Sequence, residues 1–395
     1  MPVGAQVGQE RDHGKGLVGR LVPVAYIRGC FAGLRLHVDQ SRALHIFAVN
    51  DAEVGAVSSD GGTVLGTGSL NGSGSASVST SLLPAGPNSI TAAYSGDTYF
   101  AGSTSTTLAF AVTPAPLTIT ANASSRRYGA ADTAFTVSYS GFVNGDGPGS
   151  LSGALTCTAG DMASSPVGTY AINCSGLSSP NYAITYMPGT LTVTNAVLTI
   201  TANNATKTLN ATNPTLGWTG SGFANGENAS VLTATPTCTT TAAATSPVGS
   251  YSITCSGANA ANYTFTYVPG ALKIVYAPNV GHVIQPPINA DGTSVFNQGR
   301  TVPAKFSVYD TNGASIGTPG VVTSFFLTGI VSGTVATTVD NIVDTNNPDT
   351  AFRWDPTGQQ WIFNITTGNL SAGSTYIYTI ALNDGSTIVF QYGLR

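Results

Sequence analysis

From about residue 117 onward the chain alternates apolar and polar side chains with the two-residue period of β-strands. Tyr170, Ile172 and Cys174 fall on one face of such a stretch, and Tyr182, Ile184 and Tyr186 on one face of the next. The same spacing returns at Tyr251, Ile253 and Cys255, and again at Tyr263, Phe265 and Tyr267. Pro188-Gly189 and Pro269-Gly270 punctuate the pattern as turn residues, each before a last strand that ends in Leu191/Val193 or Leu272/Ile274. Six or seven such strands in about 80 residues predict a small β-sandwich. Farther on, Trp361, Phe363 and Ile365 share one strand face, as do Tyr376, Tyr378 and Ile380, and both triplets read as core. Long Leu/Glu/Lys/Ala-rich stretches with a 3.6-residue period are absent, so helices are not expected.

The pattern repeats at domain length. At an offset of 81, Leu117 to Val193 lies on Leu198 to Ile274 without a gap, with 33 identities in 77 positions. These are two copies of one module, the mark of an array of structural units.

Composition strengthens the β reading. Only 14 Lys+Arg and 18 Asp+Glu occur in 395 residues, for a net charge of −4. A chain dominated by Gly, Ser, Thr, Ala, Asn and Val suits short strands with solvated hydroxyl faces and Gly/Asn turns. Its length gives a prior of about two to four domains. Beyond residue 50 no basic cluster exists, only the adjacent Arg126 and Arg127, so nucleic acid is excluded as a partner. No apolar run reaches the roughly 20 residues of a transmembrane helix. Six of the 14 basic residues and three of the four histidines lie in the first 45 positions, where no signal-peptide pattern is present. Residues 1–58 are therefore expected to be non-native or disordered, the product of a truncation or a misplaced start.

Four cysteines occupy matching places, Cys157 with Cys174 and Cys238 with Cys255, each pair 17 apart. One bridge per module is the economical connectivity, and two buried thiols per module is the alternative. A loop of that size stabilises by about 3 kcal/mol when closed. Disulfides would place the chain in an oxidising, extracytoplasmic compartment. No Cys-x2-Cys metal pattern occurs. Cys30 is left over in the N-terminal segment.

Three resemblances follow from the motifs. The two copies resemble the mostly bacterial immunoglobulin-like MBG domain of the Tyr-Gly type. The motifs are Tyr128-Gly129-Ala130, Gly-Phe-x-Asn-Gly at Gly141 and Gly222, Ser-Pro-Val-Gly-x-Tyr at Ser165 and Ser246, and Asn-Tyr-x-x-x-Tyr-x-Pro-Gly at Asn181 and Asn262. The second copy departs from the type by carrying Leu209-Asn210 in place of Tyr-Gly. Residues 61 to about 114, with Gly61 to Gly66 and Ile90 to Asp97, resemble the second half of another bacterial Ig-like repeat. From about residue 278 the chain resembles the bacterial PxKF domain, through Phe296 to Phe306, Asp310-x-Asn-Gly313, Phe352-Arg-Trp354 and Leu370 to Gly373. The expected organisation is an atypical segment over 1–58, a partial Ig-like repeat over 59–115, MBG modules over 116–195 and 196–276, and a PxKF-like sandwich over 277–395. The resemblances imply an all-β chain of tandem immunoglobulin-like β-sandwich modules with surface, adhesive or accessory roles, and a fold alone does not fix a function.

Candidate chemistry is sparse. Gly313-Ala-Ser315-Ile-Gly317 fits Gly-x-Ser-x-Gly but follows a hairpin turn signal, and His282 is the sole histidine after residue 45. The copies share one acid position, Asp146 over Glu227, too little for a repeated carboxylate pair. Asp340, Asp344, Asn346 and Asp349 form the densest oxygen cluster and are a weak calcium candidate, with a solvated turn as the alternative. Trp354, Trp361, Tyr376 and Tyr378 would make an aromatic platform for sugar only if alternation did not place them inside. The expectation is a non-catalytic extracellular or cell-surface array, a monomeric stalk, adhesion or interaction segment without cofactor, whose partner is an extracellular protein or glycan. The alternative is the accessory glycan-binding portion of a secreted polysaccharide-active enzyme.

Overall fold

A computed structural model describes residues 107–278, 280–343 and 348–395 continuously, and before them residues 35–38, 44–49, 55–58, 63–68, 75–76, 78, 80, 83–96 and 101–105. Among these residues no α-helix occurs; the regular structure is β-strand with two 3₁₀ turns, Pro148–Ser150 and Ala229–Val231. The chain divides into two compact units, Met1–Thr194 and Asn195–Arg395.

The first unit opens with β1 (Arg35–Val38), β2 (Leu44–Val49), β3 (Gly55–Ser58), β4 (Val64–Gly68), β5 (Ser75–Ala76), β6 (Gly86–Gly96), β7 (Ala101–Thr104) and β8 (Leu108–Val112). One sheet runs β1-β2-β5; the other runs β4-β3-β6-β7, with β8 pairing the first half of β6. Leu65, Val78, Leu83 and Ile90 form its buried core, and Leu108, Phe110 and Val112 pack against them. β3 lies wholly before residue 59 and pairs with both β4 and β6. The paired strands of this module thus begin upstream of the boundary expected at 58/59, because hydrophobic alternation over four residues is too short to announce a strand. Residues 1–34, including Cys30, lie outside the described residues.

Each repeat copy is a two-sheet sandwich. Copy 1 contributes β9 (Ala115–Ala121), β10 (Ser124–Arg127), β11 (Val137–Ser140), β12 (Ser152–Ala159), β13 (Gly168–Ser178), β14 (Tyr182–Met187) and β15 (Gly189–Thr194). Its sheets run β11-β9-β14 and β10-β15-β13-β12, the β9/β14 and β10/β15 pairs being parallel. Copy 2 repeats the plan with β16 (Ala196–Ala202), β17 (Ala205–Thr208), β18 (Trp218–Ser221), β19 (Thr237–Thr240), β20 (Gly249–Ser256), β21 (Tyr263–Val268) and β22 (Gly270–Val275). Its sheets run β18-β16-β21 and β17-β22-β20-β19. Leu117, Ile119 and Ile172 are fully buried in copy 1, as are their counterparts Leu198, Ile200 and Ile253 in copy 2. The Pro-Gly turn has a steric origin: a Cβ on Gly189 would stand 2.5 Å from the Ala121 carbonyl oxygen, and one on Gly270 2.5 Å from that of Ala202. Only glycine lets the last strand start that close to the first.

The C-terminal domain holds β23 (Val295–Phe296), β24 (Thr301–Phe306), β25 (Val322–Ser332), β26 (Val335–Ile342), β27 (Arg353–Asp355), β28 (Gln360–Thr366), β29 (Ser374–Leu382) and β30 (Thr387–Leu394). A sheet ordered β23-β30-β29-β25-β26 accompanies one ordered β24-β28-β27. Pro303 sits in edge strand β24, where its missing N–H costs the ladder least. Phe325 gathers the core, with ring centroids of Phe363 at 5.1 Å, Phe352 at 5.2 Å and Tyr378 at 5.5 Å. Aromatic pairs at such spacings add to the gain from burial itself.

Candidate functional site

The motif side chains of the two copies are spent on the fold. Tyr182 donates to Asp146 at 2.6 Å and accepts from the Val143 N–H; Tyr263 donates to Glu227 and accepts from the Ala224 N–H. That explains the one acid position shared between copies: it is the acceptor for a buried tyrosine. Tyr186 and Tyr267 take the backbone N–H groups of Leu177 and Ala258 at 2.8 and 2.9 Å. Tyr170 and Tyr251 donate to the carbonyls of Pro166 and Pro247.

Both copies also bury a cation at the same position. Arg126 contacts Asp161 and lies 2.7 Å from Asp132, and it donates to the carbonyls of Met162 and Ala163. Desolvation works against its charge, but Asp161 and Asp132 outweigh it and hold the guanidinium more firmly protonated than usual. Lys207 replaces it in copy 2, where Asn213 and Ala242 stand at the positions of those carboxylates. Its ammonium donates to the carbonyls of Ala243 at 2.7 Å, Ala211 at 3.1 Å and Ala244 at 3.3 Å, and burial lowers its pKa. Each cation ties a strand (β10 or β17) to the loop that follows β12 or β19.

The cysteines form two disulfides, Cys157–Cys174 and Cys238–Cys255. Each joins directly opposed residues of adjacent antiparallel strands, β12 to β13 and β19 to β20. The bridges therefore lie within one sheet and pin its edge strand. Of the calcium candidates, Asp344 and Asn346 lie outside the described residues, and Asp340 is described only as part of β26. Asp349 accepts from the Asn364 N–H at 2.7 Å and lies 3.7 Å from Arg353. Among the described residues no group of three or more His, Cys, Asp or Glu is placed to hold a metal.

Ser315 pairs with Tyr309 across the turn begun by Asp310 and donates to Gln359 at 2.7 Å, so it is a hairpin residue. Trp361, Tyr376 and Tyr378 are 5%, 3% and 2% exposed, which places three of the four aromatic candidates inside. Trp354 lies against Trp361, ring centroids 5.7 Å apart, and over Gly317.

The richest polar arrangement joins copy 2 to the C-terminal domain, both within the second unit. Asn210, at φ 63°, donates to Asp310 at 2.8 Å, and the Thr311 N–H donates to the Leu209 carbonyl at 3.0 Å. Asp310 also accepts the N–H groups of Asn312 and Ala314, and these hydrogen bonds, Asn210's foremost, hold its carboxyl below the usual range. Buried Tyr276 donates through its hydroxyl to Asn383 at 2.8 Å and through its N–H to Asp384 at 3.2 Å. Burial alone would raise the Asp384 pKa; His282, whose Nε2 stands 3.8 Å from the carboxylate, and hydrogen bonds from Ser386 and the Tyr276 N–H more than reverse it, leaving the carboxyl well below its usual range. Burial pushes the Tyr276 hydroxyl up to about 12. Asn210, where copy 1 has Gly129, thus brings a side chain to the joint, and Leu209 takes part through its backbone carbonyl. Sequence reasoning missed this joint; the available signal was that copy 2 differs from copy 1 at the joint residues.

Beside the joint lies a cavity of about 480 Å³. One wall is β17, β22 and β20, with Thr206, Lys273 and Ser250 in one row; the other is the turn Asn383-Asp384-Gly385 between β29 and β30.

Residues 117–192 and 198–273 each match the family model of the MBG domain (YGX type), and residues 45–113 match the bacterial Ig-like domain (group 3). The latter match reaches back into the segment expected to be foreign. No curated protein matches the chain. Among solved structures the chain is similar to invasin, a bacterial integrin-binding protein, at 12% identity and TM-score 0.33 over 89% of this chain and 76% of that one. It is also similar to the Escherichia coli adhesin FdeC, at 12% identity and TM-score 0.23 over 72% of this chain and 100% of that one. For the S-layer protein rSbsC(31-844) the figures are 15% identity and TM-score 0.19 over 89% of this chain, which spans about half (52%) of that structure. Among the described residues no helix is long and apolar enough to cross a membrane, which says nothing of β-barrels.

Proposed function

We propose that the chain is a non-catalytic, extracellular or cell-surface array of Ig-like modules that serves as a stalk, adhesion or interaction segment. The observation that carries this reading is the use of the motif residues: the tyrosines, the shared acid and the buried cations of both copies all serve internal bonds. Such modules are built to hold shape. Two edge-pinning disulfides support an oxidising compartment. Under this reading the modules span about 45–115, 116–195 and 196–276, with a PxKF-like sandwich over 277–395, and the partner is an extracellular protein or glycan.

The purified chain is expected to bind saturably to a cell or matrix surface, to turn over none of a panel of polysaccharides, and to keep Cys157, Cys174, Cys238 and Cys255 from alkylation unless first reduced. Turnover would overturn the non-catalytic reading, and free thiols at Cys157, Cys174, Cys238 and Cys255 in chain recovered from its source would overturn the extracytoplasmic one. The polar cavity at the joint favours a second reading, the accessory glycan-binding portion of a secreted polysaccharide-active enzyme.

A further inference from the structure

We propose that the cavity between copy 2 and the C-terminal domain binds a carboxylate-bearing sugar residue, with Lys273 receiving the carboxylate and Thr206, Ser250, Asn204 and Asn383 receiving the ring oxygens. The argument rests on an excess of donors. Lys273, Thr206 and Ser250 stand side by side across three strands, where neighbours lie about 4.8 Å apart. Among the described residues none of their side-chain donors is spent on a hydrogen bond or ion pair. Asn204 uses its oxygen on the Ala271 N–H and Asn383 uses its oxygen on Tyr276, so each amide has an N–H₂ left over. The carboxylate in the wall, Asp384, is 4% exposed and is engaged by Tyr276 and Ser386. It does not cancel the lysine from within the cavity.

A wall of this kind needs an acceptor-rich, singly charged ligand. Its volume of about 480 Å³ falls in the range of small-molecule sites, about 300–1,000 Å³, and is far larger than an inorganic oxyanion needs. One ammonium matches one carboxylate, and hydroxyl and amide groups match sugar hydroxyls. No aromatic side chain lines the cavity, so recognition rests on charge and hydrogen bonds.

The repeat supplies an internal control. Copy 1 carries Ser125, Thr192 and Thr169 in the equivalent row and Ala123 in place of Asn204. The cation stands in copy 2 alone, at the place where the C-terminal domain supplies the second wall of the cavity. Gly385, at φ +80°, turns the chain beside it, and the site of a Cβ there would lie 3.3 Å from the Lys273 ammonium.

This inference deepens the interaction reading by naming a ligand class and rests on it only for the location of the surface. The test is calorimetric titration of the full chain with a trigalacturonate, with N-acetylneuraminic acid and with neutral galactotriose. One acidic sugar is expected to bind, weakening as salt rises, and Lys273→Thr, which restores the copy 1 residue, is expected to weaken it at least tenfold. Lys305→Met, outside the cavity, serves as a control and is expected to leave binding unchanged. Silence toward both acidic sugars, equal binding of the neutral one, or indifference to Lys273→Thr would each overturn the site. A chain that still adheres to cells under any of those outcomes keeps the proposed function, whereas one that binds the acid through Lys273 but shows reduced cysteines at its source loses that reading and keeps the site.

Discussion

Single residues show how the same backbone tolerates two electrostatic solutions. Arg126 is buried with two carboxylates and three carbonyls; Lys207 is buried with three carbonyls and no carboxylate. Breaking a buried ion pair from one side leaves an uncompensated charge, typically about 3–5 kcal/mol. Asp161→Ala is therefore expected to lower the stability of copy 1 by about that much, read as a fall in the urea midpoint of its transition. The reciprocal change, Ala242→Asp, hands Lys207 the carboxylate it lacks and is expected to raise the midpoint of copy 2. The sign of the lysine's pH effect follows from its lowered pKa. Between the folded pKa and the ordinary value near 10.5, the unfolded chain binds more protons, so stability rises with pH through that window. Removing Lys207 should flatten the rise. None of this was legible from composition, which showed merely two adjacent arginines. The alignment of the copies places Arg126 over Lys207 and Asp132 and Asp161 over Asn213 and Ala242, but it carries no sign that these side chains are buried together.

At the scale of elements, the sheets decide what the cysteines do. Edge strands β12 and β19 are each held by a single neighbour, and β19 is only four residues long. A cross-strand bridge fixes register where few hydrogen bonds are available to do so. Replacing Cys238 and Cys255 by Ser together is expected to cost copy 2 about 2–4 kcal/mol. The shift should appear as a lower urea midpoint that reductant no longer changes. The spacing of 17 residues identified the pairs, and alternation put Cys174 and Cys255 on the inward face with Ile172 and Ile253. It did not say whether a bridge would cross between sheets or lie within one, because sequence separation carries no information on which strands become neighbours.

At the scale of the whole molecule, described unit by unit, copy 2 and the C-terminal domain are joined by bonds whose partners are about 100 residues apart: Asn210 to Asp310, and Tyr276 to Asn383 and Asp384. Both carboxylates have lowered pKa values, so they bind fewer protons folded than unfolded as pH falls below about 4. The stability they contribute is present above that pH and is lost beneath it. Protection factors at the Thr311 and Tyr276 amides, taken against the slower intrinsic exchange in acid, are expected to fall before those of the core amides of Ile253 and Ile380. A double-mutant cycle on Asn210→Ala and Asp310→Ala should return a coupling of about 1.5–3 kcal/mol at neutral pH, the range for a hydrogen bond to a charged group. No coupling would mean that the two domains sit together without this contact.

The sequence by itself determined the class of fold, the repeat, the inward faces of the strands and the cysteine pairs. All of these follow from short-range periodicity and from two copies that constrain each other. Tertiary structure decided the rest. It placed the disulfides within a sheet, brought β3 into the first module, turned Leu209-Asn210 from a weakened motif into a joint, and assembled Lys273 and Asn383 around one cavity. These features are made by residues far apart in the chain, or by strands too short to show a period, and neither leaves a local pattern to read.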